Sequence, residues 1–414
     1  MKKTVVELFA GVGGFRVGFN NITSIDDNGH AIENGPFDFV WANQWEPSTK
    51  IQHAFDCYNL RFPNESNSNV DISLVNKNDI PDHSILCGGF PCQDYSVARS
   101  LSKEKGIEGK KGVLWWQIND VLTAKKPPFV LLENVDRLIK SPSKQRGRDF
   151  GIMLRCLYDQ GYAVEWRIIN AAEYGHPQRR RRVYIFAYHK STEYYKNCSK
   201  IDATTIIQNE GIFARQFKIK AIKKISSVNL VEGYKDLVSV SDKFKSPFES
   251  AGYMIDGIAY TVKYEPITEP FIPLKNIVIS GGVDSHYFLK DNKVKQYKVL
   301  RGSKKILRTR PDGSEYFYSE GSMTPHDSLD SPGRTMLTSE GKTNRSTHII
   351  LDPIENKLRL LHPIECERLN QFPDNWTNSG MPENKRYFMM GNALVCGIIR
   401  KLALEINTIL DKEN

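Results

Sequence analysis

Long apolar runs are what this 414-residue chain lacks most plainly. No stretch of roughly 18 apolar residues occurs, the length a membrane-spanning helix needs. Lys2 and Lys3 are followed too soon by Glu7 and the glycines from Gly11 for a secretion signal. Cysteine is scarce: seven are scattered with no CxxC pair, which fits neither a disulfide framework nor a zinc ribbon. The expected location is therefore the reducing cytoplasm, and no metal is called for. Internal repeats and extended low-complexity tracts are absent, and so is the GxGxxG fingerprint of dinucleotide binding. Acidic residues fall short of basic ones, 48 against 57, and the net charge of +9 favours an anionic partner.

What is present is an alternation. The runs "TVVELF", "FDFVWAN", "SILCGGF", "FVLLENV", "AVEWRIIN" and "RRVYIFAYH" read as strands, with helical patterns between several of them. That order predicts an α/β fold, a parallel sheet covered by helices. Ligands of such sheets sit at the carboxyl ends of strands, where Gly11, Glu46, Cys92 and Glu133 fall, so one cleft can hold all four. Near Lys190 the periodicity weakens and "SKIDATTIIQNEG" reads as a linker. The chain thus divides into residues 1–190, a smaller, mostly β or irregular unit over 191–354, and 355–414. The last segment carries the helical patterns "HPIECERLNQF" and "ALVCGIIRKLALEINTIL", which return to complete the first domain. Within the middle unit, Lys293–Arg310 carries eight basic residues and no acidic one, a pattern suited to phosphates.

Three constellations carry chemistry. In "GGFPCQDYS", Cys92 follows a proline at a strand end; a lone cysteine is more often a core residue than a nucleophile, so its neighbours decide. In "VVELFAGVGGFRVGF" a strand runs into a GxGG turn where backbone can approach a ligand. About thirty residues later "WANQWEP" offers the Trp45 face and the Glu46 acid to an adenine and ribose hydroxyls, which points to an adenosine-containing cofactor. In "PQRRRRVYI" an extended chain places Gln178, Arg180 and Arg182 on one face and Arg179 and Arg181 on the other.

Taken in order, "ELFAGVGGF", "GGFPCQ", "LLENV", "QRRRRVYI", "GRTMLTSEG", "HPIECERLNQFPD" and "MMGNALV" resemble the motifs of cytosine-5 DNA methyltransferases of the bacterial restriction-modification type. The resemblance implies a Rossmann-like domain that uses S-adenosyl-L-methionine and a smaller target-recognition domain. It implies a Cys92 thiolate that adds to carbon 6 of a cytosine flipped from double-stranded DNA, with Glu133 on the base edge. Arg180 is expected nearest the base and thiolate, and Arg182 beside Glu133 or the strand. For the cofactor it implies Phe9, Gly11, Gly13 and Gly14 at the methionine end, Trp45 on the adenine face, and Asp71 with Ile72 at its edge. Pro91, Leu114, Asn392 and Leu394 complete that pocket. Where the family commonly has Glu before the tryptophan this chain has Gln44, so the ribose contact is open between Gln44 and Glu46.

DNA contacts are expected from Gln93, Ser96, Arg99 and Gln178, and in the middle unit from Arg301, Arg308, Arg310 and Arg345. A monomer is expected, with a separate cognate restriction endonuclease as the possible functional partner. Two rivals share some features: a tRNA cytosine-5 methyltransferase, whose usual "PPCQ" and "CFT" this chain lacks, and a catalytically silent DNA-binding protein, against which Cys92, Glu133 and Arg180 stand together.

Overall fold

The structure is a computed structural model and describes residues 1–64, 66–90, 114–310 and 313–413. Its centre is a ten-stranded sheet in the order β3-β2-β1-β4-β5-β7-β6-β9-β10-β8. The first five are β1 (Thr4–Leu8), β2 (Asp38–Asn43), β3 (Asn67–Ser68), β4 (Ile85–Gly89) and β5 (Phe129–Val135), all parallel. Next come β6 (Tyr162–Asn170) and β7 (Arg181–His189), with β7 inserted antiparallel between β5 and β6.

Alternation along each strand sends side chains to two layers. On one face Val5, Ile85, Leu131 and Phe186 pack under α1 (Gly14–Phe19) and the helix Cys396–Asp411, whose Ile399, Leu402 and Ile406 are fully buried. On the other, Val6, Leu86, Leu132 and Ile185 meet Trp115, Ile118 and Leu122 of helix Leu114–Lys125 and Met153 of helix Arg148–Asp159. Each such side chain contributes on the order of 1.5–3 kcal/mol on burial.

The sheet does not stop where the composition changes near Lys190. Strands β8 (Ser226–Asn229), β9 (Ala251–Ile255) and β10 (Ile258–Val262) continue it, with β9 paired antiparallel to β6. Gly252 makes this join close: a Cβ there would lie 2.0 Å from the buried Trp166 ring. The residues set apart from the sheet begin after β10. They include helix Asp291–Arg301 and the hairpin of β11 (Lys304–Thr309) and β12 (Glu315–Glu320). Among the described residues no helix is long and apolar enough to cross a membrane.

Candidate active site

Parallel pairing brings the carboxyl ends of β1, β2, β4 and β5 to one edge, where Leu8 pairs with Asn43 and Gly88, and Gly89 with Glu133. The start of β7 arrives at the same edge from the opposite direction, Val135 opposite Arg182. A functional side chain at any of these ends therefore faces the others across one or two strand spacings.

The glycine turn after β1 is shaped for a ligand. Phe9 has φ +55°, rare for a bulky side chain, and Gly11 has φ +56°. A Cβ added at Gly11 would meet no atom within 4 Å, so the backbone there opens onto free space that a side chain would fill. The turn is pinned by the Gly11 amide, which donates to Gln44 Oε1 at 2.8 Å. Gln44 is buried at the end of β2, Trp45 beside it is 37% exposed, and Glu46 is half-buried. The Gln44 amide in turn donates to the Ser68 carbonyl (3.0 Å), which brings in β3 and, just beyond, Asp71 and buried Ile72. The Asp71 carboxylate accepts from the Ser73 amide at 2.9 Å and so starts the short helix Ile72–Leu74. From the C-terminal segment Leu394 packs on Gly14, whose Cβ would stand 3.1 Å from its Cγ, and exposed Asn392 ends helix Glu383–Asn392 two residues earlier. Leu114, half-buried, opens the helix that covers the opposite face. An exposed aromatic face, an open glycine backbone and polar strand ends are the features an adenosyl group with an amino-acid tail requires, so these residues fit the cofactor.

Beneath the turn Glu7 is wholly buried. It accepts from the Tyr58 hydroxyl at 3.1 Å, and burial pushes its carboxyl up to about 8 against the opposing pull of Tyr58 and Arg16.

Glu133, two residues before the end of β5, has Oε1 2.9 Å from Arg182 Nε, an ion pair with both side chains largely buried. Burial raises the Glu133 carboxyl above the ordinary range, while Arg182 first and Arg180 second hold it down. The result is a carboxyl that keeps a proton more readily than an exposed glutamate. Gly89 makes room for it, since a Cβ there would lie 3.3 Å from Glu133 Oε2. The next residue, Asn134, points to the other side and is buried, and its amide donates to the Phe90 carbonyl at 2.7 Å. That bond fixes the chain two residues before Cys92. Adjacency to Glu133 in the "ENV" run was the only sequence signal for Asn134.

Pro91, Cys92, Gln93, Ser96 and Arg99 lie outside the described residues. The six other cysteines are all buried and free. Burial pushes the thiols of Cys57, Cys156, Cys198 and Cys396 up to about 12, and those of Cys87 and Cys366 well above their usual value. None of these six offers a thiolate near neutral pH.

The structure corrects several expectations. Arg180, expected nearest the base and thiolate, precedes β7, is 2% exposed, and spends its fork on the Met336 and Gly391 carbonyls, both at 3.0 Å. Its pKa falls to about 9 through burial and the neighbouring Arg182, with Glu133 opposing. Arg182 stands beside Glu133, one of the two places expected for it, and Arg181 faces outward to Asp136, the side expected for it. Gln178 is wholly buried and bonded to Met336 and Asn370, so it presents nothing to DNA. Arg301 is buried against Asp327 (2.8 Å) and the Thr347 carbonyl (2.7 Å), an internal anchor of the middle unit. Arg345 is committed to Glu320 and the Gly321 carbonyl. Arg308 and Arg310 are exposed on the hairpin, their guanidinium groups over Tyr318 (3.9 Å) and Tyr316 (4.8 Å).

A family model described as C-5 cytosine-specific DNA methylase matches residues 3–408. The chain is 50% identical over 410 residues to Type II methyltransferase M.Sau3AI of Staphylococcus aureus, covering 99% of this chain and 96% of that one. Over 183 residues it is 32% identical to Type II methyltransferase M.HhaI of Haemophilus parahaemolyticus, covering 44% of this chain and 48% of that one. Among solved structures it resembles the Dnmt2 methyltransferase of S. pombe, with a TM-score of 0.57 at 16% identity over 99% of this chain and 98% of the other. That last likeness concerns the fold alone.

Proposed function

This chain belongs to the C-5 cytosine-specific DNA methylase family, and we propose that it moves a methyl group from S-adenosyl-L-methionine to carbon 5 of one cytosine in a short double-stranded DNA sequence. The observation that carries the reading is the meeting, at one sheet edge, of the open glycine turn with the Glu133–Arg182 pair one strand from the run that leads to Cys92. S-adenosyl-L-methionine supplies an electrophilic methyl on a sulfonium. Phe9, Gly11, Gly14, Gln44, Trp45, Asp71 and Leu394 would hold it.

Chemistry at a ring carbon needs both ring faces free, so the cytosine leaves the duplex. The Cys92 thiolate bonds to carbon 6, and the electron pair of the carbon 5–carbon 6 bond becomes available at carbon 5 as ring nitrogen 3 is protonated. Glu133 holds that nitrogen and the exocyclic amine, its raised pKa suiting it to keep a proton there. Arg182 fixes the carboxyl and faces the charge that develops on the base. Carbon 5 would take the methyl as the methyl–sulfur bond breaks to leave the neutral thioether S-adenosylhomocysteine; loss of the carbon 5 proton to solvent then expels the Cys92 thiolate and restores the carbon 5–carbon 6 double bond, while ring nitrogen 3 returns its proton to Glu133.

The enzyme acts as a monomer in the cytoplasm, and its methylation shields the site from a separate restriction endonuclease. The 50% identity to a Type II methyltransferase along nearly the whole chain supports DNA as the substrate over tRNA. Labelled methyl transfer to duplex DNA, followed by bisulfite sequencing, tests activity and site together. Label appearing in tRNA and not in DNA would overturn the reading, and undiminished turnover by Cys92→Ser would remove the covalent step.

A further inference from the structure

Two segments that share no motif lie back to back behind the active-site edge. A Cβ on Gly391 would stand 2.4 Å from the backbone of Leu337 and Thr338, so residues 336–338 pack directly on residues 390–391. Gln178 and Arg180, two residues apart, tie both segments together. The Gln178 Oε1 accepts from the Met336 amide at 3.1 Å, and its Nε2 donates to Asn370 Oδ1 at 2.8 Å. Asn370 then donates to the Met390 carbonyl at 2.7 Å. Arg180 runs a parallel bridge, to the Met336 carbonyl at 3.0 Å and the Gly391 carbonyl at 3.0 Å. Both main-chain groups of Met336 are thus held, and the two bridges end on consecutive residues.

Each segment leads to a different site. From Met336 the chain continues into the buried Glu340–His348 pair, which neighbours Asp327, the partner of Arg301 at the root of the basic hairpin. From Gly391 it continues through Asn392 to Leu394, which packs on Gly14 of the cofactor turn. The bridging atoms are buried, so sliding one segment against the other would strand donors and acceptors away from water, and each of these is expensive to leave unmade. Such a joint has discrete arrangements and does not give by degrees.

Resting on the reading above, we propose that Gln178, Asn370 and Arg180 are positioning residues that couple cofactor binding to DNA binding, a role distinct from touching either ligand. The coupling is reciprocal: whatever factor DNA adds to cofactor affinity, the cofactor adds to DNA affinity. The probe is S-adenosylhomocysteine, which binds without turnover, titrated calorimetrically with and without a duplex carrying the site mapped by bisulfite sequencing. Wild-type enzyme should bind it about tenfold more tightly with DNA present, within the ordinary span of such couplings.

Gln178→Leu should lower that factor at least about threefold. Asn370→Asp, which keeps the acceptor for Gln178 and sets a buried carboxylate oxygen against the Met390 carbonyl, should do the same, with its melting temperature measured beside it because the added charge is buried. Both should leave affinity without DNA within about twofold of wild type. Gln178→Glu, which keeps only the acceptor for Met336, should restore part of the coupling. A wild-type factor near one, or an Asn370→Asp factor equal to wild type, overturns the coupling. Wild-type enzyme that binds neither probe nor duplex overturns the functional reading itself.

Discussion

In the proposed mechanism Glu133 and Arg182 divide a task that neither performs alone. A glutamate at a strand end in water is ionised at neutral pH; burial raises Glu133, and Arg182 at 2.9 Å limits the rise and fixes its orientation. Glu133→Gln keeps the size and the hydrogen-bonding shape but cannot exchange a proton. Turnover should fall by about 10²-fold or more while DNA and cofactor still bind; single-turnover methyl transfer checks this, and a rate within a few-fold of wild type would assign the proton to another group. Arg182→Lys should also lose rate, because one ammonium cannot keep both the Nε contact to Glu133 and the Nη1 bond to the Arg181 carbonyl. At the cofactor, Gln44 Oε1 is already occupied by the Gly11 amide, which leaves its NH₂ as the group for a ribose hydroxyl. Gln44→Ala should weaken S-adenosylhomocysteine by about tenfold, the worth of one good hydrogen bond, and Glu46→Ala far less. The opposite order in calorimetry would hand the ribose to Glu46.

Strands, turns and the hairpin set where such residues can act. The β11–β12 hairpin is paired to no other strand of the described residues, and two strands alone are marginal in water. It carries exposed Leu307 and Phe317, and cations stacked on aromatics: Lys305 over Phe317 at 4.6 Å, Arg308 over Tyr318 and Arg310 over Tyr316. A major groove admits a two-stranded ribbon of this kind, and stacking holds each guanidinium with its edge free. Arg308→Ala with Arg310→Ala should weaken binding to the cognate duplex and lower the slope of log affinity against log salt by about one for each phosphate that is no longer neutralised. Unchanged affinity and slope would remove the hairpin from the interface. The basic run was legible in the sequence, as were the strand ends near Gly11, Glu46 and Glu133, because period-two alternation and turn chemistry are local. Depth was not. The spacing of Gln178, Arg180 and Arg182 groups them, but the first two precede β7 and lie beneath residues 336 and 391, which are over 150 positions away along the chain. The same holds for Arg301, basic in the sequence and buried in the fold, and for β8, whose exposed Ser226 and Ser227 hide a place in the main sheet.

The molecule as a whole keeps two carboxyls in the layer under the C-terminal helix. Glu7 lies below the glycine turn, raised to about 8. Glu165 sits on β6 with Oε1 3.2 Å from the Tyr194 hydroxyl, and burial raises it to about 7 against Tyr194, Arg167, Tyr188 and Arg215. Both folded values stand above that of an unfolded chain, so the folded state binds these protons more tightly. Their contribution to stability is full below about pH 4.5 and is lost as pH rises through about 7 for Glu165 and about 8 for Glu7. The melting temperature of wild type should therefore drop between pH 5 and 8 by more than that of Glu165→Gln, whose amide keeps an acceptor for Tyr194 and carries no charge to bury. The double variant with Glu7→Gln should be flatter still. Glu7 adds a functional side to this dependence, because ionising it beneath the glycine turn loads the element proposed to hold the cofactor. Glu7→Gln should flatten the pH dependence of S-adenosylhomocysteine affinity as well, whereas Glu165→Gln, remote from the turn, should flatten only the melting curve. Equal effects of the two variants on ligand affinity would mean that the turn does not sense the charge below it.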